Sequence, residues 1–500
     1  MMTLGSRSSV SDVIAGVGVA VILIPQSMAY AELAGLPARH GLFAAAVGPL
    51  AAALFVSSPF LQTGPVALTA LMTLGALLPL AAPGSPEYVG AAALLALVVG
   101  IVGALAGMLK TGWISYLMSR PMLDGFVSGA ALLIICSQIP GVLGMIETSG
   151  DGVLSRAIWA LVRPADWEWA SSGLAMLTLL IVLGARRLNP VIPGVLIATV
   201  MGLWFSFITD YSGARLGDIN AGVPHLAIAL PWRVLPALVL PGIVIAVVGF
   251  AEAASISRIY ATKERIRWNA DDEFVGQGAA NVAASLFGGF PIGGSFSRSS
   301  LNYLSGARTR WSGAVTGMVL LAFLPFAYIL APLPSSVLGA IVIAAVVPLI
   351  RIRHLVSLWS IARPQAVVGW ITFWFTIILS PQVEQALVLG ILAAVAVHIW
   401  RELEPGIQFW VEENDTVLHV KPSGVLWFGS AAFLEEAVAE RLASAPEAGR
   451  LVLHLDGLGR IDLTGAEVLR ELTEQVREGG LEVWLEGVPP HAERILERVM

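Results

Sequence analysis

Fifteen residues, Gly288 to Asn302 (GGFPIGGSFSRSSLN), gather the groups able to do chemistry in a chain otherwise poor in them. The glycines and Pro291 prevent one helix from running through the stretch. Ser295 or Ser297 can cap a short helix that starts within it. Such a start leaves N–H groups without intrahelical partners and carries the positive end of the helix dipole. With Arg298 just inside, that combination suits an anion. A Gly/Ser-rich surface loop with a solvated arginine is the plainer reading, and the apolar flanks speak against it. Hydrocarbon offers no water to exposed backbone groups, so irregular backbone there must line a cavity or be buried in protein.

Three further features place polar groups inside apolar runs. Pro25 breaks the first run, Leu23-Ile24-Pro25-Gln26-Ser27-Met28-Ala29-Tyr30, and leaves Gln26 and Tyr30 at depth. Gln62-Thr63-Gly64-Pro65-Val66-Ala67-Leu68-Thr69 opens a second short helix with a Gly-Pro start. Glu252 lies in Val248-Gly249-Phe250-Ala251-Glu252-Ala253. A carboxylate within a membrane helix is costly and marks a functional position by default. A structural pairing with Arg298, locking both charges, is the competing reading.

The elements that must hold these residues are membrane helices. The chain has 500 residues, 56% hydrophobic and 13% charged, about half the charged share of a soluble domain, and its mean hydropathy is +0.79. Spans of the length a bilayer requires, some too short to cross alone, are expected at 13–34, 41–57, 64–80, 88–109, 123–143, 171–185, 191–209, 236–257, 275–288, 296–305, 313–331, 335–350, 366–380 and 383–400. The first is read as a membrane helix and not a cleaved signal, because no small-residue cleavage site follows it. With the N-terminus in the cytoplasm, fifteen lysines and arginines of this part, among them Arg7, Arg186, Arg187 and Arg351, face inward and five face outward. That is the bias of cytoplasmic loops. Both termini are then cytoplasmic, in the inner (plasma) membrane. Fourteen segments read as seven plus seven: the third and tenth are both short and Gly/Pro-interrupted, which points to a binding site between inverted repeats near the midplane.

From residue 402 onward the composition changes. The tail holds nineteen acidic and eight basic residues, a balance of −11 against +5 for residues 1–401. The expected domains are therefore a membrane part, 1–401, and a soluble part, 402–500. Strand-like runs at 417–421, 425–428, 451–455 and 481–485 alternate with helices at 431–445, 464–478 and 490–499, the pattern of a small α/β sheet domain. The turn Gly459 to Gly465 reads as an anion or phosphoacceptor loop, or as a helix cap. The acidic tail argues against nucleic acid. The single cysteine, Cys136, rules out an internal disulfide and a thiolate metal site. Neither an HExxH pair nor a GxxxxGK[ST] loop occurs, so no metal, cofactor or ATP-driven step is expected.

The residues resemble those of the sulfate permease family of anion transporters. The resemblance spans nearly the whole chain. It rests on Ile24-Pro25-Gln26-Ser27-Met28-Ala29-Tyr30-Ala31 with Leu33-Ala34-Gly35-Leu36-Pro37, on Gly64-Pro65-Val66-Ala67, and on Gly294-Ser295-Phe296-Ser297-Arg298-Ser299. The tail resembles a STAS domain. The resemblance implies an all-α membrane domain of fourteen segments in seven-plus-seven inverted repeats, as in uracil permeases. Core and gate domains would slide against one another as an elevator, in a homodimer. It implies an anion site on Tyr30, Val66, Ser297 and Arg298, with the backbone after Gly64 (Pro65 onward) and after Gly294 (Ser295, Phe296). Val66 is small where some relatives carry an aromatic residue, which implies a wider pocket. Glu252 matches in position an acidic residue of the ion site in sodium-coupled relatives. Leu463 follows Asp462 where antagonist proteins of the STAS class place a phosphorylatable serine, so phosphorylation there is not expected.

The function expected is secondary active transport of a small inorganic or organic anion (sulfate, bicarbonate or a dicarboxylate) with protons, Glu252 being the coupling group. Sodium coupling and exchange are the alternatives. A nucleobase permease fits less well, because that site needs carboxylates on both central helices and the tenth segment offers Ser297 and Arg298. A membrane-anchored signalling protein would leave the glycine-rich midplane site unexplained.

Overall fold

The computed structural model describes residues 10–116, 118–145, 152–189, 191–217, 219, 222, 224, 226, 229–403, 405–412 and 416–499; Arg7, used in the charge count above, lies outside them. The chain divides into two compact units, Met1–Ile391 and Leu392–Met500.

The first unit opens with helices α1 (Val10–Leu33) and α2 (Ala38–Phe55), the two-residue strand β1 (Thr63–Gly64) and the short helix α3 (Ala67–Leu77). There follow α4 (Pro86–Met108), α5 (Arg120–Val142), α6 (Val153–Leu161), α7 (Trp169–Leu188) and α8 (Gly194–Ile208). The second half repeats the plan. It comprises α9 (Leu235–Glu264), α10 (Ala270–Leu286), strand β2 (Gly293–Gly294) and the nine-residue α11 (Phe296–Leu304). Then come α12 (Trp311–Phe323), α13 (Ser335–Val346), α14 (Ile352–Ile361), α15 (Arg363–Ile378) and α16 (Val383–Leu403). Each of the fourteen segments expected from the sequence contains a helix. Nine stretches among the described residues are long and apolar enough to cross a membrane.

Small residues let these helices approach closely, as packing in lipid requires where no hydrophobic force draws helix to helix. On α4, a Cβ added at Gly100 would sit 2.6 Å from the Val282 nitrogen, and one at Gly107 2.6 Å from the Asp271 carbonyl oxygen, both on α10. From the α10 side, a Cβ at Gly278 would lie 2.3 Å from the Ala104 nitrogen. Asp12, fully buried, accepts the Arg308 and Thr309 N–H groups at 2.7 and 3.0 Å. That clamps the loop after α11 to the first turn of α1, so α11 ends on the side of the membrane where α1 begins.

The second unit is a five-stranded sheet with three helices. Strands β3 (Gly406–Glu412), β4 (Val417–Leu426), β5 (Arg450–His454) and β7 (Glu482–Glu486) lie in the order β3-β4-β5-β7, and β6 (Leu458–Ile461) pairs with β4. Helices α17 (Ala431–Ala443), α18 (Leu463–Glu478) and α19 (Pro490–Val499) complete it. Leu418, Val420, Leu451, Leu453, Leu469 and Leu496 form its core. In the turn Gly459–Gly465, Asp462 caps α18: it accepts the Gly465 N–H at 2.7 Å and the Phe428 N–H at 3.1 Å.

Candidate functional site

The two short helices meet head to head. Strands β1 and β2 pair antiparallel, Thr63 opposite Gly294 and Gly64 opposite Gly293. Chain direction then requires α3 and α11 to leave the pair in opposite senses, each with its N-terminus at the junction. Glycine is needed here for space as well as conformation. Gly64 has φ of 155°, and a Cβ on Gly294 would sit 3.1 Å from Ala253 Cα of α9.

Polar side chains from neighbouring helices hold this irregular backbone inside the membrane. Asn281 of α10 takes up both groups of Ile292, accepting its N–H at 2.9 Å and donating to its carbonyl at 3.0 Å. Gln277 donates to Thr63 Oγ1 at 2.8 Å. Gln62 donates its N–H to Ser299 Oγ at 2.9 Å, and its carbonyl accepts the Ser295 N–H at 3.0 Å. Asn302 donates to the Phe60 carbonyl at 3.1 Å. The backbone groups that no helix or sheet can pair are thereby paired locally.

Arg298, in the first turn of α11, is 2% exposed. Its Nη1 donates to the Pro65 carbonyl at 2.8 Å, whereas Nε and Nη2 are buried without a partner. An unsatisfied buried donor costs about 1–3 kcal/mol, more when charged. Among the described residues no acid lies within 4.0 Å of this guanidinium, so it is not locked to Glu252; Glu252 and Tyr30 lie only within longer electrostatic reach. Ser295 caps α11 by position but without a side-chain bond to the helix; its hydroxyl meets Ser297 Oγ at 3.3 Å. The N–H groups of Phe296, Ser297 and Arg298 occupy the first turn, where an α-helix supplies no partner.

A cavity of about 370 Å³ opens on this turn. Phe296, Ser297 and Arg298 line it together with Gln26 of α1, whose Oε1 is buried and unpaired. Leu304, the last residue of α11, lines it too, so it reaches toward the side where α11 ends and α1 begins; Arg186 of α7 also lines it. The remaining expected site residues stand behind the lining. Tyr30 and Val66 are buried at 5% and 7% exposure. Gly64 and Gly294 form the bridge. The Ser295 N–H is engaged by Gln62, so the turn after Gly294 offers amides only from Phe296 onward. Pro65 has no N–H and contributes its carbonyl to Arg298, so the amides expected directly after Gly64 begin at Val66. Glu252, half-buried on α9, makes no hydrogen bond or ion pair among the described residues.

Sequence reasoning missed Arg186, Gln62, Gln277 and Asn281. The last three were visible as amides inside apolar runs. Arg186 looked like an ordinary loop cation beside Arg187.

Residues 10–372 match the sulfate permease family and residues 408–500 the STAS domain. A probable sulfate transporter of Mycobacterium tuberculosis (strain CDC 1551 / Oshkosh) is 35% identical over 404 residues, 78% of this chain and 69% of that one. The solved transmembrane domain of a cyanobacterium bicarbonate transporter, BicA, superposes with a TM-score of 0.66 at 27% identity, covering 77% of this chain and 97% of that one. The murine Solute Carrier 26 family member A9 anion transporter, in the inward-facing state, superposes with a TM-score of 0.88 at 20% identity, covering 99% and 88%, a likeness of fold. The chain belongs to the sulfate permease family, as a multi-pass membrane anion transporter that is not an enzyme and that carries a C-terminal STAS domain.

Proposed function

We propose that the protein is a secondary active transporter of a small oxyanion, sulfate or bicarbonate, driven by protons through an elevator movement. The observation that carries this reading is Arg298: a buried guanidinium with two unpaired nitrogens at the start of α11, facing a cavity beside free first-turn amides. An anion there satisfies both sets of donors at once, in a low-dielectric setting where screening is weak. The names of the similar proteins above, a sulfate transporter and a bicarbonate transporter, favour those two anions. A nucleobase would leave the guanidinium charge without a counter-charge.

In this reading the fourteen segments form two inverted repeats of seven. The core comprises α1–α4 and α9–α12, with the anion between the N-termini of α3 and α11; α5, α7, α8, α13, α15 and α16 form the gate. The cavity is the inward-facing access path, since it leads to the side carrying the N-terminus, taken as cytoplasmic. Glu252 is the coupling group. α9 passes against the β1–β2 bridge at Ala253, so a proton on Glu252 removes a negative charge near the anion and favours its binding. The anion site is assigned to Tyr30, Gly64, Pro65, Val66, Gly294, Ser295, Phe296, Ser297 and Arg298, with Pro65 acting through Arg298. The protein works as a homodimer in the inner membrane, with residues 1–401 transporting and residues 402–500 in the cytoplasm. Uptake of radiolabelled sulfate, bicarbonate and uracil into proteoliposomes, at two pH values with and without a sodium gradient, tests the reading. Anion accumulation that follows an inward proton gradient supports it. Uracil uptake alone, or accumulation that follows sodium alone, defeats it.

A further inference from the structure

The cavity that ends on Arg298 carries a second cation. Arg186, in the last turn of α7, lines it. No aspartate or glutamate joins the lining, whose polar groups are Gln26, Ser297 and Ser300 besides the two arginines; most of the rest is apolar. Arg186 makes no hydrogen bond or ion pair among the described residues. Its neighbour Arg187 does not line the cavity. A cation near a helix C-terminus is favourable for the dipole, and either arginine satisfies that role. The role therefore does not account for which of them borders the cavity. Two positive charges along a narrow, mostly apolar cleft reinforce each other's field and raise the local concentration of anions.

We propose that Arg186 is a second anion-contact residue, a capture point that hands the anion to Arg298. The proposal rests on the transport reading given above and adds a conformational asymmetry to it. α7 belongs to the gate and α11 to the core, so the two arginines share one cavity only while the core stands as it does here. Arg186 therefore strengthens anion binding from the side of the membrane that carries the N-terminus, and contributes less from the opposite side. Its effect is electrostatic, so it weakens with ionic strength.

The test uses membrane vesicles of both orientations containing the full chain, with sulfate as the probe. Arg186→Gln is expected to raise KM for sulfate from the N-terminal face by about threefold to tenfold, the scale of a partly exposed charge interaction. KM from the opposite face rises less. The salt dependence of the N-terminal-face value flattens. Arg186→Lys keeps most of the wild-type affinity, and Arg187→Gln changes nothing. Moving the charge back one turn, with Val182→Lys in the Arg186→Gln background, restores part of the loss, because Val182 lines the same cavity; a role in folding alone would not be restored this way. An unchanged KM in Arg186→Gln, or an equal rise from both faces, overturns the proposal. Wild-type vesicles that transport no sulfate, bicarbonate or other anion defeat the transport reading itself, and this proposal with it.

Discussion

Arg298 and Pro65 meet where the two short helices start: the guanidinium Nη1 of one lies 2.8 Å from the carbonyl oxygen of the other. A side chain from the start of α11 thus reaches Pro65, two residues before α3, and uses the one polar group that proline retains. Neutralising Arg298 therefore removes an anion partner and also leaves the Pro65 carbonyl unpaired. The remaining bonds of the junction, through Gln62, Gln277, Asn281 and Asn302, do not involve it.

Glu252→Gln separates transport from coupling. The amide keeps the shape of the carboxylic acid but neither binds nor releases a proton. The variant is expected to exchange anion across the membrane and to lose accumulation driven by an inward proton gradient. Uptake measured with and without that gradient checks this; accumulation in the variant that still follows the gradient removes Glu252 from the role.

Gly278→Leu tests the packing of α4 on α10. The space around Gly278 is closed by backbone, the Ala104 nitrogen standing 2.3 Å from any added Cβ, and backbone cannot swing aside as a flexible side chain does. Forcing bulk into such a site costs about 1–3 kcal/mol or more. A lower unfolding temperature and poor insertion are expected. Gly313→Leu, at a position with nothing within 4 Å of the added Cβ, serves as the tolerated control. Equal stability of the two variants would contradict the packing account.

The STAS domain carries a pH-dependent contact. A hydrogen bond from Lys421 to Asp456, at 2.6 Å, holds that carboxyl below the ordinary carboxylate range. A carboxyl lowered in the folded state contributes stability above its unfolded value, about pH 4, and loses that contribution as pH falls through the folded value. The pair is exposed, so the effect is small. Between pH 7 and pH 3 the wild type is expected to lose slightly more thermal stability than Lys421→Gln; identical losses would remove the contact from the pH response.

Truncation after Arg401 is expected to lower expression or rate while preserving the order of substrate preference, because every group assigned to the anion lies in the membrane part. Competition of unlabelled anions against radiolabelled uptake reads this directly. A reordered preference would place part of the selectivity in the STAS domain.

The sequence exposes what is written as runs. Each apolar segment yields a helix, and the glycines of 64 and 288–294 mark where helices break. Val153–Leu161 and Ile352–Ile361 escape because they are short, and the second is interrupted by Arg353. The edge strand Gly406–Glu412 escapes because its alternation is weak beside the charged start of the tail. Pairings escape for a different reason. Asn281 and Gln277 are visibly out of place in an apolar run, but only the fold brings them to Ile292 and Thr63, eleven and 214 residues away. Arg186 is the clearest case. By position it ends a span like any cytoplasmic cation, and only the turn of α7 puts it on the cavity while Arg187 is left off it.

The most direct test is sulfate and bicarbonate uptake by proteoliposomes holding either the wild type or Arg298→Ala, with insertion checked by unfolding temperature and protease protection. Arg298 is expected to be required: uptake falls at least tenfold, matching a loss of about 1.4 kcal/mol or more, in a protein that inserts and unfolds as the wild type does. Wild-type uptake by a correctly inserted Arg298→Ala protein would contradict the account.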